Sequence, residues 1–341
     1  MIKILVTGGA GYIGSHTIIE LLENTEYEVI SMDNFSNSTP DTYNRIKQIT
    51  GKSFRHYDVD LTDYTKTKTI FENEKNISGI IHFAAFKEVG ESVDNPLKYY
   101  QNNLDSLINI LKLSAEYKVT DFIFSSSCSV YGNIDVLPVK EDTPLNKAES
   151  PYACTKQMGE RILEDFAKAN KNISIVALRY FNPVGAHLSG SIGELPLNKP
   201  NSLVPVITQT AAGIRPEMFI WGNDYPTRDG TCIRDYIHVL DIASGHIAAL
   251  NYLINNSLKT NFEIFNLGTG NGVSVSEAIN AFEKVTGVKL NYKIAARRPG
   301  DVMAIYSDNT KSSSLLNWTP NYSLEDMMAS AWKWQQHIWV N

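Results

Sequence analysis

Tyr152 and Lys156 are four positions apart in a stretch, residues 152–169, whose apolar pattern predicts a helix. Residues at i and i+4 are neighbours on a helix surface, so the lysine ammonium can lie beside the tyrosine hydroxyl and favour its ionised form. Lowering the pKa of a tyrosine from about 10 to near 7 requires about 4 kcal/mol of differential stabilisation. A phenol altered in this way can serve as a general base. Chance also places such pairs on solvated helices, so the rest of the chain must decide.

A hydroxyl partner for this base follows a predicted buried strand, residues 121–124, which runs into Ser125, Ser126 and Ser127. The ligand crevice of an open parallel sheet lies beyond the carboxyl ends of its strands, so one of these hydroxyls can reach a substrate. The others would satisfy loop backbone. Ser150 and Pro151 then form the N-cap and first turn of the predicted helix, and Lys156 lies one turn inside it.

A glycine turn supplies the second chemical signal. Gly8, Gly11 and Gly14 follow a predicted strand at residues 2–7 and open a predicted helix. In this context glycines let the backbone approach a pyrophosphate, which then faces the N–H groups of the helix amino terminus. Asp33 ends the next strand, residues 28–32, at the distance expected for a ribose-binding carboxylate, which favours NAD over NADP. Asp58, after residues 54–57, is a candidate for binding the adenine amino group.

Strands and helices must alternate to position these residues. Further buried strands are predicted at residues 79–83 and 173–178, and a helix is predicted at 104–113. This alternation predicts an α/β fold, a Rossmann-type doubly wound parallel sheet. Residues 1–180 form the predicted NAD-binding domain. Residues 181–341 form a second, smaller α/β substrate domain, entered through a loop-rich segment at 182–202. The predicted helices of this second domain lie at 203–213, 273–286 and 324–339. The sequence sets the boundary between the two domains only to within tens of residues. The apolar run at 264–267 is a candidate strand of the first domain.

Composition excludes several classes of protein. The chain has 341 residues, a net charge of -6 and 43% hydrophobic residues, so it has no basic footprint for nucleic acid. Three cysteines without paired spacing argue against a disulfide framework and a zinc site. No apolar run reaches the ~18 residues that cross a membrane. The amino terminus has too few apolar residues before Gly8 to be a signal peptide. We expect a cytoplasmic protein with no metal, in which His82, His187 and His238 have structural roles.

Together, Gly8, Gly11 and Gly14, Asp33, Ser127, Tyr152 and Lys156 resemble the extended short-chain dehydrogenase/reductase family. The resemblance spreads over nearly the whole chain. It is carried by VTGGAGYIGSHT from residue 6, HFAAFKEVGES from 82, FIFSSSCSVYG from 122, RYFNPVGAH from 179, GNDYPTRDGTCIRDYIHV from 222 and RRPGD from 297. The last four stretches narrow the resemblance to members that act on nucleotide sugars.

This resemblance implies an isomerase that interconverts UDP-galactose and UDP-glucose, in galactose metabolism. Tyr152 would remove the proton of the sugar 4-hydroxyl while C4 gives hydride to NAD. The 4-keto sugar would turn over, and the hydride would return to its opposite face. Ser127 would share the proton, and Lys156 would lower the Tyr152 pKa and hold the nicotinamide ribose.

The resemblance also implies two sets of binding residues. Those for NAD, besides Tyr152 and Lys156, are Gly8, Gly11, Tyr12, Ile13, Gly14, Asp33, Asn34, Asn37, Ser38, Asp58, Val59, Phe83, Ala84, Ala85, Lys87, Asn102, Ser125, Tyr180 and Phe181. Those for the substrate are Ser127, Tyr152, Asn182, Ser202, Leu203, Phe219, Trp221, Arg234, Arg298, Asp301 and Ile305. Within the second set, Arg234 and Arg298 would bind the diphosphate and Trp221 would stack on uracil.

Three positions depart from the family pattern. Ser202 stands where many members have asparagine, and Cys128 replaces a more usual alanine. Ile305 falls where a large aromatic residue would exclude N-acetyl sugars, and isoleucine, of intermediate size, leaves UDP-N-acetylglucosamine open as a substrate.

The same residues bear on three other functions. A 4,6-dehydratase would need a Thr-Asp-Glu set where this chain has Ser127, Cys128 and Ser129. A UDP-glucuronate decarboxylase or an epimerase of uronic acids stays open. A catalytically silent NAD-binding sensor would not need Ser127, Tyr152 and Lys156 together. The predicted helix carrying Leu104, Leu107, Ile108 and Leu111 could pair two subunits into a homodimer, although intradomain packing explains that apolar stripe equally well.

Overall fold

Parallel strands form the central sheet of the computed structural model, which describes residues 2–255, 260–298 and 301–340, without the side chains of residues 339 and 340. In chain order the strands are β1 (Lys3–Thr7), β2 (Glu28–Asp33), β3 (Arg55–Asp58), β4 (Gly79–His82), β5 (Asp121–Ser127), β6 (Ser174–Tyr180), β7 (Asn182–Val184), β8 (Met218–Trp221), β9 (Ile233–Arg234), β10 (Tyr236–His238), β11 (Phe262–Leu267), β12 (Val273–Ser274), β13 (Tyr292–Ala295) and β14 (Ala304–Ile305).

The α-helices surround this sheet and complete the second region. In chain order they are α1 (Tyr12–Asn24), α2 (Asp41–Thr50), α3 (Tyr64–Glu74), α4 (Val89–Asp94), α5 (Pro96–Glu116), α6 (Pro151–Ala169), α7 (Leu203–Ala211), α8 (Val239–Ile254), α9 (Val275–Thr286), α10 (Thr310–Leu316) and α11 (Leu324–Val340).

The central sheet has seven strands in the order β11-β6-β5-β4-β1-β2-β3. Every neighbouring pair is parallel. Successive side chains of a strand point to opposite faces, and β1 places Ile4 and Val6 in one core and Leu5 in the other. Helices cover both faces, α1 and α8 over the first core and α5 and α6 over the second. The predicted Rossmann-type sheet is confirmed.

Local sequence sets where the two helices that carry the predicted chemistry begin. Helix α1 starts directly after the glycine turn, with Gly11 as its N-cap. Helix α6 starts at Pro151, and the Ser150 side chain accepts a hydrogen bond from the backbone N–H of Ala153 at 3.2 Å. A serine N-cap and a proline in the first turn are preferred at a helix start, so the boundary of α6 agrees with its prediction.

The second region is built from small sheets and helices. Strands β7 and β10 form one pair, β8 and β13 another, and β12-β9-β14 a third sheet. Helices α7, α9 and α11 share one apolar core with β8. Strand β11 lies in this half of the sequence but pairs with β6 in the central sheet, while the predicted division at residue 180 stays a prediction.

Several predicted strands and helices were too short or began at the wrong residue. The strand predicted at 121–124 continues through the three serines, and the helix predicted at 104–113 is the long α5. The helix predicted from residue 273 is preceded by β12, so Val273 is extended. Helix α8 was missed because its sequence is apolar on most of its circumference, which suits a helix packed between α1 and the sheet but hides the helical period.

None of the described helices combines the length and the apolar character that crossing a membrane requires.

Candidate active site

The glycine turn lies at the carboxyl end of β1 and contacts the segment that follows β4. Gly8 has a φ of +70°, and a Cβ there would lie 2.7 Å from the backbone nitrogen of Ala84. A Cβ on Gly14 would collide with the Gly8 carbonyl oxygen. At Gly8, Gly11 and Gly14 the missing side chains therefore let the backbone of the turn pack closely on itself and on the segment after β4. Such a cradle at a helix amino terminus fits a pyrophosphate.

Asp33 links the end of β2 to this turn. Its carboxylate accepts hydrogen bonds at 2.9 Å from Ala10 N–H, from Phe35 N–H and from the Ser38 hydroxyl. Burial raises the pKa of Asp33, and these three donors oppose the rise. Asp58 is exposed at the end of β3 and lies opposite Asp33 in the strand register. The carboxylate expected to bind ribose is thus beside the glycine turn.

The other residues predicted to hold NAD lie along the same edge of the sheet. Lys87 donates a hydrogen bond to Glu194 at 2.9 Å, and Tyr12 donates one to the Gly185 carbonyl at 2.6 Å. Both bonds tie the segment after β7 to the edge that carries the glycine turn. The remaining side chains follow β2, β3, β4 and β6 or lie on α1, α5, β5 and β6. Asn37 is exposed, and the others are buried or half-buried: Ile13, Asn34, Val59, Phe83, Ala84, Ala85, Asn102, Ser125, Tyr180 and Phe181.

Tyr152 and Ser127 come together where β5 ends and α6 begins. Burial raises the pKa of Tyr152, and the nearby Ser127 hydroxyl partly offsets the rise. The Ser127 hydroxyl also accepts hydrogen bonds from the Ser129 backbone at 3.2 Å and the Ser129 hydroxyl at 3.0 Å. Sequence spacing alone predicts a lowered pKa, whereas here burial of the phenol is the larger effect.

Lys156 lies one helical turn further on and is buried. Its Nζ donates a hydrogen bond to the Ser125 carbonyl at 2.6 Å and lies 6.0 Å from the centroid of the Tyr152 ring. The Phe124 ring is 4.9 Å away. Burial lowers the pKa of Lys156 to about 8, and the Glu160 carboxylate opposes this shift. The ammonium is therefore close to the phenol, but its direct partner is the strand backbone.

The predicted diphosphate residues gather around one carboxylate. Arg298 donates hydrogen bonds to Asp301 at 2.9 and 3.2 Å, and Arg234 lies 4.0 Å from the same group. The Arg298 guanidinium lies 5.8 Å from the Trp221 ring, which is 41% exposed beside the equally exposed Phe219. Two cations and two open aromatic faces thus occupy neighbouring positions.

Ile305 connects this group to the segments that follow β5 and β6. It pairs with Arg234 in the register of β14 and β9, and it packs in a buried cluster with Phe181 and Tyr131. Asn182 begins β7, while Ser202 and Leu203 stand at the start of α7, where Ser202 makes no side-chain cap. Burial raises the pKa of the Cys128 thiol to about 12 and the charge of Arg234 opposes it. The thiol is thus held neutral next to Ser127.

Two groups of residues in this region were not predicted from the sequence. Glu160 and Arg179 form a buried ion pair behind Lys156. Asp235, next to Arg234, accepts hydrogen bonds from Thr269 and Ser307, including Thr269 N–H at 2.8 Å and the Ser307 hydroxyl at 2.7 Å. The positions 152, 156 and 160 repeat every four residues, a signal that could have revealed Glu160. Asp235 had no comparable signal, because its partners are distant in sequence.

The predicted structural histidines make hydrogen bonds within the protein. His82 bonds the Thr7 hydroxyl at 2.8 Å, His187 the Ser189 hydroxyl at 2.9 Å and His238 the Ser330 hydroxyl at 3.0 Å. Within the described ranges, no three His, Cys, Asp or Glu side chains are grouped as metal ligands.

One family model and several known proteins match nearly the whole length of this chain. Residues 5–331 match the family model described as GDP-mannose 4,6 dehydratase. A UDP-glucose 4-epimerase of Bacillus subtilis (strain 168) is 48% identical over 332 residues, covering 97% of this chain and 96% of the relative. One from Drosophila melanogaster is 46% identical over 338 residues, covering 97% and 96%.

Solved structures agree with these relatives. UDP-glucose 4-epimerase from Bifidobacterium longum, in complex with NAD+ and UDP, matches with a TM-score of 0.93 and 46% identity, over 98% of both chains. The enzyme from Stenotrophomonas maltophila, with bound NAD and formylated UDP-arabinopyranose, matches with a TM-score of 0.96 and 42% identity, over 100% of this chain and 99% of that one. The predicted family is confirmed, and the chain belongs to the UDP-glucose 4-epimerases of the extended short-chain dehydrogenase/reductase family.

Proposed function

We propose that this protein interconverts UDP-galactose and UDP-glucose through transient oxidation of sugar C4 with NAD. The observation that carries the proposal is the meeting of Tyr152, Ser127 and Lys156 at the carboxyl end of β5, beside the glycine turn of β1. A base, a proton partner and a cation are thereby placed at the edge of the sheet where ligands of this fold bind. The near-identical length and high identity of the epimerase relatives support the same function.

The cradle formed by Gly8, Gly11 and Gly14 fits the pyrophosphate of NAD, and Asp33 fits its adenosine ribose. Bound NAD would supply the acceptor and donor of the C4 hydride, and its positively charged nicotinamide ring would favour ionisation of a nearby phenol. Lys156 would hold the nicotinamide ribose. A carboxylate at position 33 would repel the 2′-phosphate of NADP.

Tyr152 acts in this proposal as the base for the sugar 4-hydroxyl. A base must come within about 3 Å of the proton it removes, and the Ser127 hydroxyl lies close enough to the phenol to offset part of the rise in its pKa, so the proton could pass through either hydroxyl. Lys156 contributes its positive charge and fixes the helix turn against Ser125. On the return step the same phenol gives the proton back to the C4 oxygen.

Epimerisation requires the keto sugar to present both faces of C4 to the hydride donor. We assign the fixed part of the substrate to its UDP group. Arg234 and Arg298 would bind the diphosphate, and the exposed rings of Trp221 and Phe219 would contact uracil. Asn182, Ser202, Leu203 and Asp301 would bind the hydroxyls and flanking groups. With UDP anchored, the sugar is the part of the substrate that can turn.

The test is turnover of UDP-galactose by the purified protein. We expect UDP-glucose as the product, with no net consumption of NAD, measured by chromatography of the nucleotide sugars. A 4-keto-6-deoxy sugar would instead indicate the dehydratase reaction, and release of carbon dioxide from UDP-glucuronate would indicate a decarboxylase. Absence of any product together with NAD bound to the protein would support a sensor and contradict the proposed epimerase.

A homodimer is the assembly that we propose. Of the four residues predicted to line its interface, Leu107 and Leu111 belong to the apolar core, and Leu104 and Ile108 are half-buried. A more open apolar strip comes just before them in the chain: Val89 and Val93 on α4 and Leu97 at the start of α5 are 52%, 59% and 78% exposed. A second copy of this chain would cover that strip. Light scattering of the wild type and of Leu97→Asp tests this assignment, with a shift to monomer expected for the variant.

We place the protein in the cytoplasm. Cys128, Cys154 and Cys232 are all free thiols, which a reducing compartment maintains.

A further inference from the structure

Three side chains of α6 point to the same strand at successive turns. Tyr152, Lys156 and Glu160 are four residues apart, the spacing of neighbours on a helix face. Lys156 donates a hydrogen bond to the carbonyl of Ser125 at 2.6 Å, and Glu160 accepts one from the hydroxyl of Ser126 at 2.5 Å. The lysine and the glutamate are thus docked on consecutive residues of β5. These two hydrogen bonds fix the position of α6 along β5.

Glu160 has a second partner on β6. Arg179 donates two parallel hydrogen bonds to the carboxylate, from Nε at 2.8 Å and from Nη2 at 2.6 Å. Glu160 is 5% exposed and Arg179 2% exposed. Arg179 lies opposite Ser126 in the register of β5 and β6, so the fork joins α6 to two strands. Buried pairs of this kind often add no more stability than apolar residues of similar volume would, so their charges require another explanation.

The charge of Lys156 supplies that explanation. The titratable and charged groups around it are Tyr152 and Glu160 on α6, His82 on β4 and Arg179 on β6. His82 stays neutral, because burial and the charge of Lys156 lower its pKa to about 3. Burial favours the neutral amine of Lys156, and the Glu160 carboxylate works against that effect. Arg179 donates its two hydrogen bonds to the same carboxylate from β6 and so fixes the position of that carboxylate.

We propose that Glu160 is a positioning residue that keeps Lys156 protonated and holds its ammonium at the Ser125 carbonyl beside Tyr152, and that Arg179 is a positioning residue that fixes the Glu160 carboxylate. Neither residue touches substrate or cofactor in this account. The inference rests on the proposed roles of Tyr152 and Lys156 in epimerisation. It adds that the buried charges of Glu160 and Arg179 support Lys156 from behind.

The pH dependence of kcat/KM for UDP-galactose tests the proposal. Loss of the Lys156 ammonium limits activity at high pH, so the basic limb of the profile reports its pKa. Glu160→Gln removes the negative charge and keeps the side-chain volume, and we expect the basic limb to move down by roughly one pH unit or more. Arg179→Gln removes the positive charge, so the limb should move up or stay. Glu160→Asp keeps the charge and should leave the limb near its wild-type position even if kcat falls.

A matched control lies on the same helix. Glu164 makes an exposed ion pair with Lys168 at 2.8 Å, and Glu164→Gln should leave the pH profile unchanged. A packing role for Glu160 predicts more damage in Glu160→Asp, which shortens the side chain, than in Glu160→Gln, with no shift of the limb in either variant, and that result would overturn the proposal. Because Glu160→Gln and Glu160→Asp decide between these outcomes, a failure of Arg179→Gln to fold does not remove the test.

A second measurement separates this proposal from the proposed function. The rate at which acetic anhydride modifies Lys156, followed by mass spectrometry across pH, reports the pKa of Lys156 without turnover. Glu160→Gln should shift the midpoint of that rate to lower pH by the same amount. If the wild type lacks epimerase activity but the midpoint shifts, the proposed reaction fails and the electrostatic role of Glu160 stands. If the enzyme is active and neither the limb nor the midpoint moves, the role of Glu160 is wrong.

Discussion

Arg298 forms two hydrogen bonds with Asp301, at 2.9 and 3.2 Å, and the same carboxylate lies 4.0 Å from Arg234. One acidic group therefore holds both of the arginines proposed to bind the substrate diphosphate. Preorganised guanidinium groups lose less conformational entropy on binding than free ones, and this lowers the cost of capturing a dianion.

Arg298→Ala should raise the KM for UDP-galactose about 10- to 100-fold with a much smaller effect on kcat. Charge-assisted hydrogen bonds are worth about 1.5–3 kcal/mol, and the diphosphate is bound alike in ground and transition states. Arg297→Ala is the matched control, since Arg297 pairs instead with Asp224 at 2.8 Å and lies over the Tyr225 ring. Steady-state kinetics of both variants decide the matter, and equal KM values for them would contradict the assignment.

Tyr152→Phe should lower turnover by roughly 10²- to 10⁴-fold, because the general base is lost while the ring is kept. The protein should retain NAD, measured in the supernatant after denaturation. Tyr64→Phe removes another tyrosine hydroxyl, one that bonds Glu116 at 3.1 Å on the surface, and should be active. Wild-type turnover in Tyr152→Phe would mean that another group removes the proton.

Gly14→Ala should abolish NAD binding and destabilise the protein by about 1–3 kcal/mol, since the added methyl group collides with the Gly8 carbonyl. Gly90→Ala provides the comparison, because a Cβ at Gly90 meets no described atom within 4 Å. NAD titration by fluorescence and urea unfolding measure the two effects. Equal NAD affinity in Gly14→Ala and Gly90→Ala would show that the close approach at Gly14 is not needed.

Acid should destabilise the protein through its buried histidines. Burial lowers the pKa of His16 and His82 to about 3 and that of His246 to about 4, below the usual 6.5. Between pH 6.5 and about 4 the unfolded chain takes up protons that these folded side chains refuse, so stability falls with decreasing pH. Each histidine should cost about 2 kcal/mol on going from pH 7.5 to pH 5.

Asp241 opposes this trend, because burial raises its pKa to about 6 and its protonation favours the folded state. A variant comparison isolates the histidine effect. His246→Phe keeps a ring against Phe83 and Tyr180 and removes one titrating group, so urea unfolding should show a shallower fall in stability than in the wild type. An unchanged pH dependence would exclude His246 as a contributor.

Substitutions at Ile305 should change sugar selectivity. The side chain is buried with Tyr131, which follows β5, and Phe181, which follows β6, so a smaller residue leaves room for an acetamido group. Ile305→Ala should raise the ratio of UDP-N-acetylglucosamine turnover to UDP-galactose turnover, and Ile305→Tyr should lower it. Ile294→Ala, at a 56% exposed position on β13, is the control. Equal ratios in all variants would place the sugar elsewhere.

The sheet and its glycine turn were predictable because their signals are local. Buried parallel strands read as short apolar runs, and the turn at Gly8 sits between such a run and a helix. The start of α6 was predictable from Ser150 and Pro151 for the same reason. Helix α8 was not, since a helix that is apolar on most sides loses its period.

The electrostatics of the site could not be predicted from spacing. The interval between Tyr152 and Lys156 correctly indicates one helix face, but it does not report that Lys156 turns to the Ser125 carbonyl or that burial raises the pKa of Tyr152. Both depend on β5 and β6, which lie far away in the sequence. Likewise, the ion pair between Arg298 and Asp301 is local, whereas the approach of Arg234 to it is set by tertiary packing.

Strand β11 pairs with β6 at one edge of the central sheet, although most of the proposed substrate-binding segment lies between them in the chain. That segment is therefore an insertion held at both ends by the sheet that carries the glycine turn. A chain cut after residue 180 would lose a strand of that sheet and expose the edge of β6. The two binding functions cannot be separated by truncation, and gene fragments divided there should yield neither a stable NAD-binding half nor a UDP-binding half.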